Sequence, residues 1–500
     1  MIATTPLQSE PTYALQWLTD DILFYFQRCR RRTFLDQFGD QQQQNPPSDY
    51  LLKIRQDSAT HRRQALQDYA PRHRPPYEAG DWVAGSKATL ALMEQGVDYI
   101  YKGVLAVEGH SDLRYVSKPD LLVKQPGSSW LGDWHYRSID IKLGKKPKLE
   151  YQLVATYHAY LLTAIQGVWP EDSLLILREK DYRVDLDRQL PRLLELLDDC
   201  EATLAGDEPP EVFISRSRCD MCVWLPHCYE VAKSQQHLSL LPGVTANRYQ
   251  HLAGLKITSV EALAAIEPAH LSLRAGFDVS VSQKLVSQAQ ATQQNIAIAR
   301  TRHPGRFPLS PLDLPSADVE LYFDIEAAPD RDLVYLHGVL VVNHVTQQHT
   351  FLPLMGDDLT DEVAAWRRFQ QAVAQYPDAP IYHFCPYEAQ TVKRLATTYG
   401  SQIDIDPLLR RFVDIHKRVT DAVTLPVESY ALKHIARWMG FEWRDAEANG
   451  AQSICWYDSW LETGEQHYLQ SILRYNEDDC RATYHVKQWL SDFAQPFWAA

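Results

Sequence analysis

The chain is short of several things, and each shortage removes a class of protein. Among its 500 residues stand only eight cysteines, too few for a disulfide scaffold in so long a chain. No stretch approaches about 18 continuous apolar residues, so nothing reads as a membrane-spanning helix. Met1 to Tyr13 carries polar residues and prolines where a secretory leader needs a basic segment and an apolar run, which points to a cytoplasmic protein. Nor is there an excess of base. With 50 Lys and Arg against 64 Asp and Glu the formal charge is −14, which ordinarily argues against nucleic acid as a partner. What remains, 45% hydrophobic and 23% charged, is the composition of an ordinary globular protein. At about 100–200 residues per domain the length suggests three or so domains, each able to bury its own core.

Net charge hides distribution. The N-terminal third concentrates bases at Arg28, Arg30, Arg31 and Arg32, at Arg62, Arg63, Arg72 and Arg74, and at Lys142, Lys145, Lys146 and Lys148. Such clusters suit phosphate contacts. Four of the cysteines are divided one and three, with Cys29 alone near the start and Cys219, Cys222 and Cys228 far downstream. Between them lie Pro119-Asp120 and Asp140-Ile141-Lys142, so the cysteines bracket a domain that holds its own polar set.

Local patterning gives an α/β multidomain chain. The spacing of Ile22, Phe26 and Cys29 predicts one helix from Thr19 or Asp20 to just before Gly39, with Cys29 turned to the core. Strands are expected over 99–107, 120–123 and 138–143, then a helix over 149–165, strands over 174–177 and 182–186, and a helix over 190–204. From 238 to 295 the pattern becomes short helices with tight turns such as Leu241-Pro242-Gly243-Val244. Four prolines mark 301–318 as a linker. Beyond it, strands over 319–325 and 333–342 open a second α/β domain.

Residues two apart in a strand share a face, so Asp140 and Lys142 project together. Asp120, from a neighbouring strand, can join Asp140 around a hard divalent cation, with Lys142 steadying the attacking water. For the cysteines, four thiolates suit either zinc or an iron–sulfur cluster. Residues 15–232 resemble the RecB-like branch of the PD-(D/E)xK nucleases, which includes CRISPR-associated exonucleases with an iron–sulfur clasp. The resemblance implies a restriction-endonuclease-like domain over 1–235. It also implies that His61 completes the metal site, that Gln152 and Tyr157 on the following helix assist, and that Cys29, Cys219, Cys222 and Cys228 hold a structural [4Fe–4S] cluster.

The segment Leu321-Tyr322-Phe323-Asp324-Ile325-Glu326 puts two carboxylates on one face of a strand, where they repel unless a cation lies between them. Tyr475 and Asp479 stand one helical turn apart near the C-terminus. These pieces resemble the first and last motifs of the DEDDy exonucleases of the ribonuclease H-like superfamily, implying such a domain over 319–500 that uses Mg2+ or Mn2+. In the middle motif Glu388 stands where those enzymes place aspartate, with Asp414 nearby in sequence. Residues 236–300 resemble helix-hairpin-helix modules, whose turns approach phosphate backbones, and 301–318 joins the two parts.

As a whole the chain resembles RecB-like nucleases that fuse the iron–sulfur domain to a ribonuclease H-like domain. That resemblance implies a metal-dependent nuclease, an exodeoxyribonuclease acting on single-stranded DNA ends in repair, recombination or defence. The alternatives are a nucleic-acid-binding scaffold with one or both sites inactive, and a zinc-stabilised ribonuclease. No membrane partner is expected.

Overall fold

The computed structural model describes residues 17–109, 113–301, 306–358 and 360–499. They fall into two units, the first of residues 1–212 with 216–228, the second of residues 213–215 with 229–500. Among the described residues no helix is long and apolar enough to cross a membrane.

The first unit runs β1 (Trp17–Thr19), α1 (Asp20–Arg28), α2 (Arg30–Phe38), α3 (Asp49–Ala65), α4 (Trp82–Glu94), β2 (Tyr99–Tyr101), β3 (Leu105–Glu108), β4 (Arg114–Ser117), β5 (Leu121–Ser129), β6 (Gly132–Ile141), α5 (Leu149–Gln166), β7 (Ser173–Ile176), β8 (Asp181–Val184), α6 (Leu186–Leu204) and α7 (Arg216–Cys219), and enters α8 (Leu225–Ser234). Its main sheet has the order β2-β5-β6-β7-β8 and is mixed, because only β6 and β7 run parallel. A parallel pair needs a crossover, and α5 supplies it. That helix is apolar all round, so it is buried, with Leu153, Tyr157, Tyr160, Leu161 and Leu162 packed against Ile100, Leu122 and Tyr136 of the sheet. It stops at Gly167, whose φ of 73° forms a left-handed C-cap. A second sheet, β1-β4-β3, pairs β1 in parallel with β4.

Two local expectations fail here for backbone reasons. Cys29 does not continue a helix but is extended (φ −161°, ψ 108°), ending α1 and capping α2 through its sulfur, which accepts from Arg32 N at 3.4 Å. It is therefore half-buried at a kink instead of lying in the core. The strand expected over 99–107 is broken into β2 and β3 at Lys102, which adopts φ 54°. Asp120, likewise, sits immediately ahead of β5 and not within it.

The second unit contains a helical segment, α9 (Ala246–Gly254), α10 (Val260–Ala264), α11 (Pro268–Ala275) and α12 (Val279–Gln294), around a core of its own that includes Leu241, Leu252, Leu263, Leu271 and Leu285. After β9 (Ile298–Ala299) come β10 (Val319–Ala328), β11 (Leu333–Asn343), β12 (Gln348–Met355), α13 (Glu362–Ala374), β13 (Ile381–His383), α14 (Tyr387–Tyr399), α15 (Ile405–Arg410), β14 (Phe412–Asp414), α16 (Ile415–Ala422), β15 (Val423–Thr424), α17 (Leu432–Trp438), α18 (Gly450–Thr463) and α19 (Gln466–Trp498). The sheet order is β12-β11-β10-β13-β14, with β11 alone antiparallel to the others. Alternation along the central β10 feeds two cores. Leu321, Phe323 and Ile325 meet Trp366 and Phe369, while Tyr322 joins a cluster with Val486 and Leu490.

The proline-rich 301–318 segment, where described, is not a loose linker. Phe307, Leu309 and Leu314 are buried in the core that contains Tyr322, and Trp498 donates its indole N–H to Leu309 O at 2.9 Å. Regular structure there is limited to a short 3-10 turn over Pro311–Asp313, but the apolar residues between prolines still pack.

Candidate active sites

In the first unit the end of the β5–β6 ladder is where the polar groups gather. Asp120, just before β5, accepts from the Ile141 backbone N–H at 2.8 Å, so the carboxylate closes the ladder across to β6. It is also paired with Arg62 at 2.7 Å and with Lys102. Asp140 and Lys142 emerge on one side, as the strand period requires, with Lys142 Nζ 3.0 Å from Asp140 Oδ1. These residues line one cavity of about 290 Å3, together with Thr19, Asp20, Asp21, Trp82 and Lys118.

Charge balance explains the acidities. Burial works to raise both Asp120 and Asp140, yet both are lowered, Asp120 because Lys102, Lys142 and Arg62 surround it, Asp140 because Lys142 and His158 adjoin it. Lys142 is held above its ordinary range, since Asp140 and Asp120 outweigh the burial that would lower it. Two buried carboxylates thus already carry their own cations.

The sequence missed part of this site. His158 is fully buried on α5, with Nε2 3.3 Å from Asp140 Oδ2 and 4.0 Å from Asp20 Oδ2. The first turn of α1 brings Asp20 and Asp21, held there because Thr19 accepts from Ile22 N at 3.1 Å and β1 pairs with β4. Burial and the neighbouring Asp20 raise Asp21. In the sequence Asp20 marks only a possible start of the helix, and Asp21 carries no signal of its own. His158 had no signal beyond its being a polar residue on an apolar helix.

Other expected members sit elsewhere. His61 is on α3 one residue before Arg62, and it is Arg62 that lines the cavity. Gln152 donates to Pro147 O at 2.7 Å and accepts from Gln189 at 3.1 Å, bracing the start of α5, and is not among the lining residues. The Tyr157 hydroxyl donates to Leu18 O at 2.8 Å inside the core.

The downstream cysteines are stitched to the helices around Cys29. Trp224 donates to Asp36 at 2.6 Å, Arg218 to Arg28 O at 3.2 Å, and Asn45 N to Val223 O at 2.9 Å. Burial pushes the thiols of Cys222 and Cys228 up, and Cys29 adds to both shifts. Thiolates around one zinc ion stand within about 4 Å of one another. The four sulfurs are not gathered in that way. Among the described residues the metal-ligating side chains that do converge, within 4.8 Å, are Asp324, Glu326 and Asp479.

That triad lies in the second unit. Asp324 and Glu326 leave the same face of β10, and α19 lays Asp479 across them. Each carboxylate is held from behind. Asn476 Nδ2 donates to Asp324 at 2.6 Å, Ser453 to Glu326 at 2.7 Å, and the Trp443 indole to Asp479 at 2.7 Å. Here burial prevails, and Lys433 lowers Asp479 only in part. Asp324 is raised well above the carboxylate range by burial and by Asp479, Glu326 and Glu388, while Glu326 is pushed up to about 8 and Asp479 to about 7, burial leading in both. Three mutually repelling carboxylates with acceptor oxygens facing inward are a donor set for hard divalent cations.

Around the triad, the Tyr475 hydroxyl hydrogen-bonds Asp479 one turn along α19, and burial with Asp479 raises its pKa far above the phenol range. Glu388, at the start of α14, is buried, lies 3.3 Å from His383 Nδ1, and contributes to the shift of Asp324. Asp414 instead caps α16, accepting from Lys417 N at 3.1 Å, and accepts from Cys385 N at 3.2 Å. The neighbouring Asp478 is tied to Arg444 at 2.7 Å, away from the metal-ligating set.

Residues 321–491 match the family model described as the RNase_H superfamily, and the match contains the whole triad. This part of the chain is accordingly similar to nuclease-type hydrolases that act on nucleic acid with divalent metals. No curated protein matches the chain.

Proposed function

We propose that the chain is a metal-dependent nuclease with two sites, an exodeoxyribonuclease that trims single-stranded DNA ends in repair, recombination or defence. The observation that carries this reading is the Asp324–Glu326–Asp479 triad, whose carboxylates converge within 4.8 Å and are raised by burial inside the segment matched to the RNase_H superfamily. Those three residues would hold Mg2+ or Mn2+, with Glu388 close enough to act on Asp324. When bound, the metal supplies Lewis acidity toward a phosphoryl oxygen and lowers the pKa of water. Tyr475, anchored on Asp479, orients the attacking water, and Asn476, Ser453 and Trp443 keep the carboxylates from rotating away from the substrate phosphate. Repositioning of such groups by even small distances is costly, so this bracing is part of the catalytic apparatus.

The first site is read as the PD-(D/E)xK centre, supported by the shared cavity of Asp120, Asp140 and Lys142. Lys142 holds its proton and directs it at the attacked phosphate, and Asp20 and His158 take the place proposed from the sequence for His61 and Gln152. The domain reading is 1–235, 236–300 as a helix-hairpin-helix-like module, 301–318, and 319–500. The [4Fe–4S] clasp rests on the one-plus-three cysteine layout and on the stitching of both ends. A four-iron cluster is wider than one ion, so its sulfurs need not converge as zinc ligands do.

A second reading, a scaffold whose first site is inactive, draws on Arg62 and Lys102, which occupy the face of Asp120 where a metal would otherwise bind. End-labelled single- and double-stranded DNA and RNA, with Mg2+ or Mn2+, separate these readings when cut by wild type, Asp140→Ala and Asp324→Ala. Loss on Asp324→Ala alone supports the scaffold reading for the first unit. Loss shared between both variants supports two active sites, and no cleavage by wild type on any substrate rejects the nuclease.

A further inference from the structure

The three carboxylates of the triad are braced unequally. Asn476 and Ser453, which hold Asp324 and Glu326, stand inside helices α19 and α18. Trp443, which holds Asp479, lies in the segment between α17 and α18, where the chain forms neither helix nor strand. A side chain on irregular backbone keeps a fixed direction only if something else fixes that backbone.

Lys433, near the start of α17, does this from behind. Its Nζ donates to Ala446 O at 3.2 Å and to Ala448 O, so two of the three ammonium protons go to main-chain carbonyls of that segment. The same ammonium stands over the Trp443 ring, 5.6 Å from its centroid, and one helical turn on Arg437 donates to Ala446 O at 3.0 Å. Both Trp443 and Ala448 are buried. Ala448 precedes Asn449, whose side chain accepts from Gln452 N at 3.0 Å and caps α18, the helix that carries Ser453. One lysine is therefore tied to the supports of two of the three carboxylates, Asp479 through Trp443 and Glu326 through Ser453. Its charge reaches the triad as well. Burial and Arg437 lower Lys433 against the pull of Asp479, Asp445 and Glu447, and Lys433 in turn acts to lower Asp479.

We infer that Lys433 is a positioning residue of the metal centre, fixing the segment between α17 and α18 so that Trp443 keeps its hydrogen bond to Asp479 and Ser453 its hydrogen bond to Glu326. The inference rests on the nuclease reading above. In this role Lys433 acts through other side chains and not on the phosphate. Groups one step behind metal ligands typically change metal affinity or activity by about 10–100-fold when they are removed. An arginine can serve in its place, since a guanidinium also donates to carbonyls and stacks on an indole ring.

The test uses full-length protein labelled with fluorotryptophan, whose Trp443 signal in fluorine NMR is identified by its loss in Trp443→Phe. Lys433→Met is expected to shift that signal and to weaken by about tenfold or more the Mn2+ uptake that Asp324→Asn abolishes. Turnover on a single-stranded oligonucleotide falls with it while KM stays nearly unchanged, and Lys433→Arg recovers most of each loss. In Lys433→Met combined with Trp443→Phe the losses are expected to be less than additive, because the two act through one hydrogen bond. A wild-type Mn2+ affinity in Lys433→Met, an unmoved Trp443 signal, or losses that add in full would each overturn the inference while leaving the nuclease reading intact. If Lys433→Met melts below the assay temperature, Lys433→Gln is read by the same criteria. A wild type that takes up no Mn2+ would instead reject the nuclease reading, and the Trp443 signal still decides whether Lys433 fixes that side chain.

Discussion

The two carboxylate sites solve the same electrostatic problem in opposite ways, and single residues show it. Asp140 is buried yet lowered because Lys142 and His158 face it, whereas Asp324 is raised because burial is joined only by more carboxylates. Replacing Lys142 by Met removes the ammonium group beside a buried carboxylate, so thermal or denaturant unfolding is expected to show a loss of about 1–3 kcal/mol. Asp324→Asn should do the reverse. It removes a repelling charge, keeps an oxygen for Asn476, and is expected to raise the melting temperature of the metal-free protein while abolishing cleavage at that site. The triad also sets a pH dependence. Glu326 and Asp479, raised to about 8 and about 7, favour the protonated folded state, so their contribution is fully present below the ordinary carboxylate range. It is lost as pH rises through those values. Melting in EDTA is therefore expected to fall between pH 5 and pH 9 more steeply in wild type than in a Glu326→Gln variant, and Mn2+ to restore most at the alkaline end.

At the scale of elements, β11 and α19 meet at Gly338, which pairs with Asp324 in the β10–β11 ladder. A Cβ at that position would collide with the Asn476 amide, the group that holds Asp324. Gly338→Ala is accordingly expected to cut cleavage at the triad by at least about tenfold, as a displaced catalytic geometry does, with turnover falling more than substrate binding. Much of the architecture was readable in patterning: α5, the β10 and β11 strands and the strand face shared by Asp324 and Glu326 follow from period and apolar content. What was not readable came from single backbone choices and from distance. The extended Cys29 and the left-handed Lys102 are not encoded in period, and His158 meets Asp140 only because α5 crosses back over β6. The buried prolines' neighbours Phe307, Leu309 and Leu314 show the same limit, since composition alone cannot tell a loose segment from a packed one.

On the scale of the whole chain, a formal charge of −14 gives no general field that attracts nucleic acid, so a nucleic-acid substrate is expected to depend on local cation clusters. The cysteines add a separate expectation. Protein purified without oxygen should be brown, absorb near about 400 nm and contain iron, and Cys29→Ser should lose all three. Colourless, iron-free protein from the same preparation would reject the clasp. The central claim, that the triad is a metal centre, is tested most directly by calorimetric titration of Mn2+ at pH 7 in buffers of different ionisation enthalpy. Uptake with release of protons from the raised carboxylates, absent in Asp324→Asn with Glu326→Gln, is the predicted result. Uptake that is unchanged in that variant, or that releases no protons in wild type, would contradict it.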